Sequence, residues 1–152
     1  MKLRTIALSL LGLVVALTAL NAQDRHPPYL RARADMRRAQ SLLRVQEEPN
    51  VARRLIEADH EMEMAIHEVD RAAALDGRNI DDHPPVDTNV DRRSRFHKIV
   101  ELLRGARADL GNKEDNPVSS DIRNLAVRHI DLAIERVRQA AIDLHLDREL
   151  GF

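Results

Sequence analysis

The chain has no cysteine and no tryptophan, and its 152 residues include one Tyr and two Phe. Without cysteine there is no disulfide, no thiolate metal site, no cysteine nucleophile and no cysteine for N-terminal lipid attachment. Covalent haem attachment through C-x-x-C-H is excluded for the same reason. Runs of β-branched residues with period-two alternation are missing, so strands are not expected. No glycine-rich loop is placed to cradle phosphate. After the N-terminal segment the only serines are Ser41, Ser94, Ser119 and Ser120, none in a nucleophile-elbow context. Carboxylates are plentiful, but no pair is set up for general acid–base work. Together these absences favour a non-enzymatic protein.

What is present first is an address. Lys2 and Arg4 precede Ile6–Leu20, an uncharged apolar run of 15 residues, and Asn21-Ala22 leads into polar Gln23-Asp24-Arg25. This is the order of a secretory signal peptide, residues 1–22, and the run falls short of the roughly 20 residues a membrane-spanning helix needs. Leu20 stands where a small residue is preferred before the cut, so an uncleaved N-terminal anchor is the alternative. The pattern predicts a periplasmic or secreted bacterial protein with no integral membrane segment once processed. Residues 23–152 then form a single domain, long enough to bury a core without a metal or a covalent staple. They hold 22 basic and 25 acidic residues, a net charge of −3. That balance gives no reason to expect nucleic-acid or anionic-membrane binding.

Proline punctuates this domain without interrupting any helical pattern. The apolar periodicity predicts four helices, about Pro28–Gln46, Asn50–Asp76, Asp91–Leu110 and Ser119–Asp147. Asn50 and Ser119 or Ser120 are the expected N-caps, and Gly77 and Gly111 the expected stops. The stripe Tyr29, Ala32, Met36, Ala39, Leu43 recurs as Phe96, Ile99, Leu103, Ala106, Leu110 at a constant offset of 67. Likewise Ala58, Met62, Ala65, Val69, Ala72 recurs as Ala126, Ile130, Ala133, Val137, Ala140 at an offset of 68. The pattern reads as a duplicated αα-hairpin (28–76 and 91–147, joined by a crossover at 77–90). Two amphipathic hairpins bury their stripes by packing into an all-α, antiparallel four-helix bundle. Leu144, Leu146, Leu150 and Phe152 either pack back on this bundle or support a homodimer.

Charge is uneven. Arg25 to Gln46 has six Arg and one acid, Asp35, whereas Asn50 to Asp76 has seven acids and three Arg. Attraction between these neighbours is expected to help fix their pairing, and a docking surface for an acidic partner is the second reading. The crossover contains Asp81-Asp82-His83-Pro84-Pro85-Val86-Asp87 and exceeds the usual length of a bundle turn. Asp82, His83 and Asp87 are therefore candidates for a binding loop, the alternative being a stiff spacer. The His26-Pro27-Pro28-Tyr29-Leu30 opening, this crossover and His129-Ile130-Asp131 resemble a group of small, uncharacterised secreted bacterial proteins. The resemblance covers most of the chain after residue 22 and implies a location but no mechanism, since no activity is known for the group.

Seven histidines raise the question of a metal or haem. Glu57-Ala58-Asp59-His60 has the E-x-x-H spacing of di-iron bundles, but helical geometry turns His60 and His67 away from the Ala58–Val69 stripe. His60, Glu63, Met64 and His67 instead share an outward face. Two imidazoles seven residues apart lie about 10 Å apart along the axis, too far for one ion without ligands from elsewhere. His129 falls on or beside the inward stripe, where it needs a hydrogen-bond partner or serves as a ligand. The leading expectation is a binding or structural bundle without a cofactor, engaging an unidentified protein or envelope partner. The alternative is a bundle holding haem b or a divalent transition metal through His129, with Met36 or Met62, or through His60, His67 and Glu63.

Overall fold

The structure, a computed structural model, describes residues 28–75, 90–111 and 117–146. Four helices account for nearly all of them: α1 (Pro28–Leu43), α2 (Pro49–Leu75), α3 (Arg92–Leu110) and α4 (Pro117–Asp143). No strand occurs among the described residues.

The helix starts differ from the expected ones for a local reason. Pro49 and Pro117 are themselves the first residues of α2 and α4, a position where the missing N–H removes no helical bond. Asn50 and Ser119 or Ser120 therefore lie inside the first turn rather than capping it. The N–H groups of Val51 and Ala52 donate to the Glu48 carbonyl, at 3.1 and 2.9 Å. Among the described residues, a capping side chain stands at the start of α3: Asp91 is extended, and its carboxylate accepts from the Ser94 N–H at 3.0 Å. Hydrogen bonds from the Ser94 side chain and backbone hold the Asp91 carboxyl below its usual range.

The ends also moved. α1 stops at Leu43 and not at Gln46, and α4 stops at Asp143 and not at Asp147. Gly111 follows α3 as expected, but at φ −71 it needs no left-handed turn. The left-handed cap is at His145, with φ 58. There the Leu146 N–H turns back to the Ala141 carbonyl and the His145 N–H to that of Ile142, both at 2.9 Å. Glycine usually fills such a position, which is why the sequence did not mark it. The turn folds Leu144 and Leu146 back onto the core. Gly77, Leu150, Phe152 and the N-terminal segment lie outside the described residues.

Every matched stripe position whose side chain is described is buried, from Ala32 to Leu43 and Ala58 to Ala72, and from Phe96 to Leu110 and Ala126 to Ala140. Phe96, Met36, Met62, Ile99, Leu103 and Ile130 are the largest side chains wholly withdrawn from solvent. No described helix is long and apolar enough to cross a membrane.

The closest packing is between matched helices, α2 with α4 and α1 with α3, and it is looser within each hairpin. Ion pairs give the directions. Arg54, Glu57 and Glu61 of α2 meet Asp143, Arg136 and His129 of α4 in reverse order. Arg31 near the start of α1 meets Asp109 at the end of α3, and Glu47 and Glu48 after α1 meet Arg92 at the start of α3. α3 therefore starts beside the start of α2, at the opposite end of the bundle from where α2 stops. The 27 residues of α2 span about 40 Å, the distance that separates the end of α2 from the start of α3.

Asp35 marks the α1–α3 seam. Gly105 of α3 lies against it, and a Cβ at Gly105 would meet Asp35 Oδ2 at 3.4 Å. Burial raises the Asp35 carboxyl above its usual range, Arg38 opposes the shift and Asp109 adds to it. At neutral pH the carboxylate is charged in both folded and unfolded chains, and only the folded one bears the desolvation. Asp35→Asn is therefore expected to raise the melting temperature at pH 7. The gain should shrink as pH falls through the raised folded value and vanish below the unfolded value of about 3.9. Melting curves from pH 3 to 7 check this, and a pH-independent difference contradicts it.

Candidate functional site

The sequence candidates separate into three groups. Asp82, His83 and Asp87 lie outside the described residues. His60, Glu63 and His67 are exposed on α2, facing solvent as their spacing predicts. His129 sits at the boundary between α2 and α4.

His129 has the partner that a half-buried imidazole requires. Its Nδ1 lies 2.7 Å from Glu61 Oε2, with both side chains about one-fifth exposed. The pair bridges the two hairpins at matched positions, 68 residues apart. Glu61 thus occupies one ring nitrogen of the residue considered for haem or metal ligation. Met36 and Met62, the sulfur donors considered with it, are wholly buried in the apolar core. Among the described residues no three His, Asp or Glu side chains cluster closely enough to hold a metal ion.

Glu63 and His67 do come together with residues of another helix. They line a groove of about 340 Å³ between α1 and α2, with Arg37, Gln40, Arg44, Ile66 and Asp70. The Arg-rich and acid-rich helices meet here, as their opposite charge predicts. Arg44 Nε donates to Asp59 Oδ2 at 3.3 Å. Deeper in the seam the buried Arg33 donates from Nε to Asp70 Oδ1. Arg37 approaches the same carboxylate, its Nη2 3.9 Å from Asp70 Oδ2. Its Nε is shielded from solvent and meets no acceptor among the described residues. Burial makes the Arg37 charge harder to hold, the adjacent Arg33 charge adds to this, and Asp70 offsets it in part.

Three polar features of this arrangement were not singled out in the sequence: the Arg33–Arg37–Asp70 cluster, Gln40 at its side, and a second cluster at the bundle end. In the second, the side chain of Glu47 is almost fully enclosed, with 1 % exposed, and is paired with Arg92 and Arg95. Burial lowers the Arg95 pKa from its ordinary value. Periodicity identifies apolar positions, whereas these charges sit just beside the stripes, where the approach of a neighbouring helix decides burial. The available clue was the recurrence of Arg33 and Arg37 at helical spacing on one side of α1, with Arg44 following just past its end.

Removing a counter-charge from a buried ion pair costs more than removing an exposed one. Asp70→Asn should destabilise the bundle by about 3 kcal/mol in chemical denaturation, because the buried Arg33 loses the carboxylate to which its Nε donates. Glu101→Gln, which removes the exposed partner of Lys98, should change stability by about 0.5 kcal/mol or less. Equal effects of the two substitutions would contradict the burial argument.

Comparison with protein-family models, with curated proteins and with solved structures found no match to this chain.

Proposed function

We propose that this chain is an exported, non-enzymatic helical bundle that acts by binding a protein or envelope partner through its surface. The observation that carries the reading is the α1–α2 groove. It gathers two residues singled out on the exposed face of α2, Glu63 and His67, with Ile66 of the same helix, Arg37 and Gln40 of α1, and Arg44 just past the end of α1. The lining is mainly polar and charged, with Ile66 as its one apolar residue, so recognition there would rest on hydrogen bonds and charge. The core beneath it is filled by aliphatic side chains, Met and Phe96, so chemistry available to another molecule lies at the surface. Export is supported by the charged, apolar and small-residue order of residues 1–22.

One experiment tests both parts. The full chain, carrying a photoreactive residue in place of Gln40, is expressed in its native bacterial host and irradiated. The reading expects a chain cleaved after Ala22 in the periplasmic or extracellular fraction, with a discrete light-dependent adduct. The same group in place of the exposed His97 on α3 should give none. An unprocessed cytoplasmic chain overturns the export reading. A processed chain with no adduct at Gln40, or with equal adducts at both positions, overturns the groove as the contact.

A further inference from the structure

The groove lies at the edge of a basic layer. α1 and α3 pack along one another and carry ten Arg or Lys against three acids, whereas α2 and α4 carry seven against ten. Most of the charges at the seam are matched across it: Arg33 by Asp70, Arg44 by Asp59, and Arg107 by Asp131 at 2.6 Å. At Arg37 the matching fails. Two guanidiniums share the Asp70 carboxylate, and Arg33 holds it by a direct hydrogen bond while Arg37 stands 3.9 Å away. One-third of the Arg37 side chain is open to solvent, and it lines the groove beside Gln40. A carboxylate placed there would accept charge-assisted hydrogen bonds from the Arg37 terminal nitrogens and a further bond from the Gln40 amide. Glu63 and Asp70 on the same walls leave room for one added carboxylate beside Arg37 and disfavour a phosphate dianion, which would place two charges there. Ile66 offers apolar contact suited to the methylenes of a Glu side chain.

We propose that this groove receives the carboxylate of an acidic segment of a polypeptide partner, with Arg37 and Gln40 as the residues that bind it. The inference rests on the binding reading above and adds the chemistry of the partner. The probe is a fluorescent hexaglutamate peptide, titrated into the full chain at low salt and followed by anisotropy. Binding should saturate and weaken with added salt. Arg37→Gln should reduce affinity about tenfold, the loss expected for one hydrogen-bonded charge contact. Gln40→Glu, which places a like charge on the groove wall, should also abolish most binding and serves if Arg37→Gln does not fold. Arg53→Gln, at an exposed position on α2 outside the groove, should stay within about twofold, as expected for a screened surface charge.

Absence of saturable binding overturns the proposal, as does an equal loss in the Arg37 and Arg53 variants. Displacement of the peptide by millimolar inorganic phosphate beyond that by sodium chloride at equal ionic strength, or by phosphatidylglycerol vesicles, would overturn the acidic segment and make the groove a phosphate or lipid-headgroup site. A Gln40 photo-adduct without Arg37-dependent peptide binding would leave the binding reading standing and remove the acidic partner.

Discussion

The architecture depends on how closely matched helices approach, and alanine sets that distance. Ala58, Ala65 and Ala72 on α2 and Ala126, Ala133 and Ala140 on α4 are buried in the same stripes. Side chains this small bring helix backbones near the short end of the 8–10 Å range of interaxial distances. On the other pair, Ala32, Ala39 and Ala106 act alike, and Gly105 admits Asp35 to the seam. Larger residues, such as Met36, Met62, Phe96, Leu103 and Ile130, fill the space between the two close pairs. With few aromatics and no covalent cross-link, stability must come from this filling, so interior positions have little tolerance for a change of volume.

Close pairing of matched helices also determines where charge is placed. A chain that ran simply up and down would alternate Arg-rich and acid-rich helices around the bundle. Here α3 enters at the end where α2 begins, and both basic helices fall in one layer. The seams between layers are consequently lined with ion pairs, Arg33–Asp70, Arg44–Asp59 and Arg107–Asp131. The Glu61–His129 contact within the second layer relates identical positions of the two hairpins, the geometry that a local two-fold relation between repeats produces. Exposed members of these pairs contribute little energy individually. Their effect is to disfavour other registers, in which like charges would meet.

Much of the fold was legible because the apolar stripes are long and regular. Ala58 to Ala72 and Ala126 to Ala140 named the buried faces residue by residue, and opposite charge on successive helices anticipated the α1–α2 seam. Helix ends were less legible. Pro49 and Pro117 start their helices one or more residues before the residues expected to cap them, and His145 ends α4 in a conformation usually marked by glycine. The candidate site was legible in part. His60, Glu63 and His67 could be assigned to an outward face from spacing alone. Arg37 could not be separated from the other arginines of α1, because its distinction arises from sharing Asp70 with Arg33, a three-body relation between helices. His129 was placed beside the core by periodicity, but its partner Glu61 lies on a different hairpin.

The most direct test of this account is the distance between spin labels at residues 31 and 109, measured by pulsed electron resonance. Arg31 Nη2 and Asp109 Oδ1 are 3.0 Å apart, so labels at these exposed and half-exposed positions should report a separation of about 20 Å or less, allowing for their linkers. If α3 ran parallel to α1, the 16 to 19 residues of these helices would place the labels about 25 Å or more apart along the axis. A short distance supports the layered bundle, its basic face and the groove at its edge. A distribution centred beyond about 30 Å would contradict all three, since α1 and α3 would then not be paired as described.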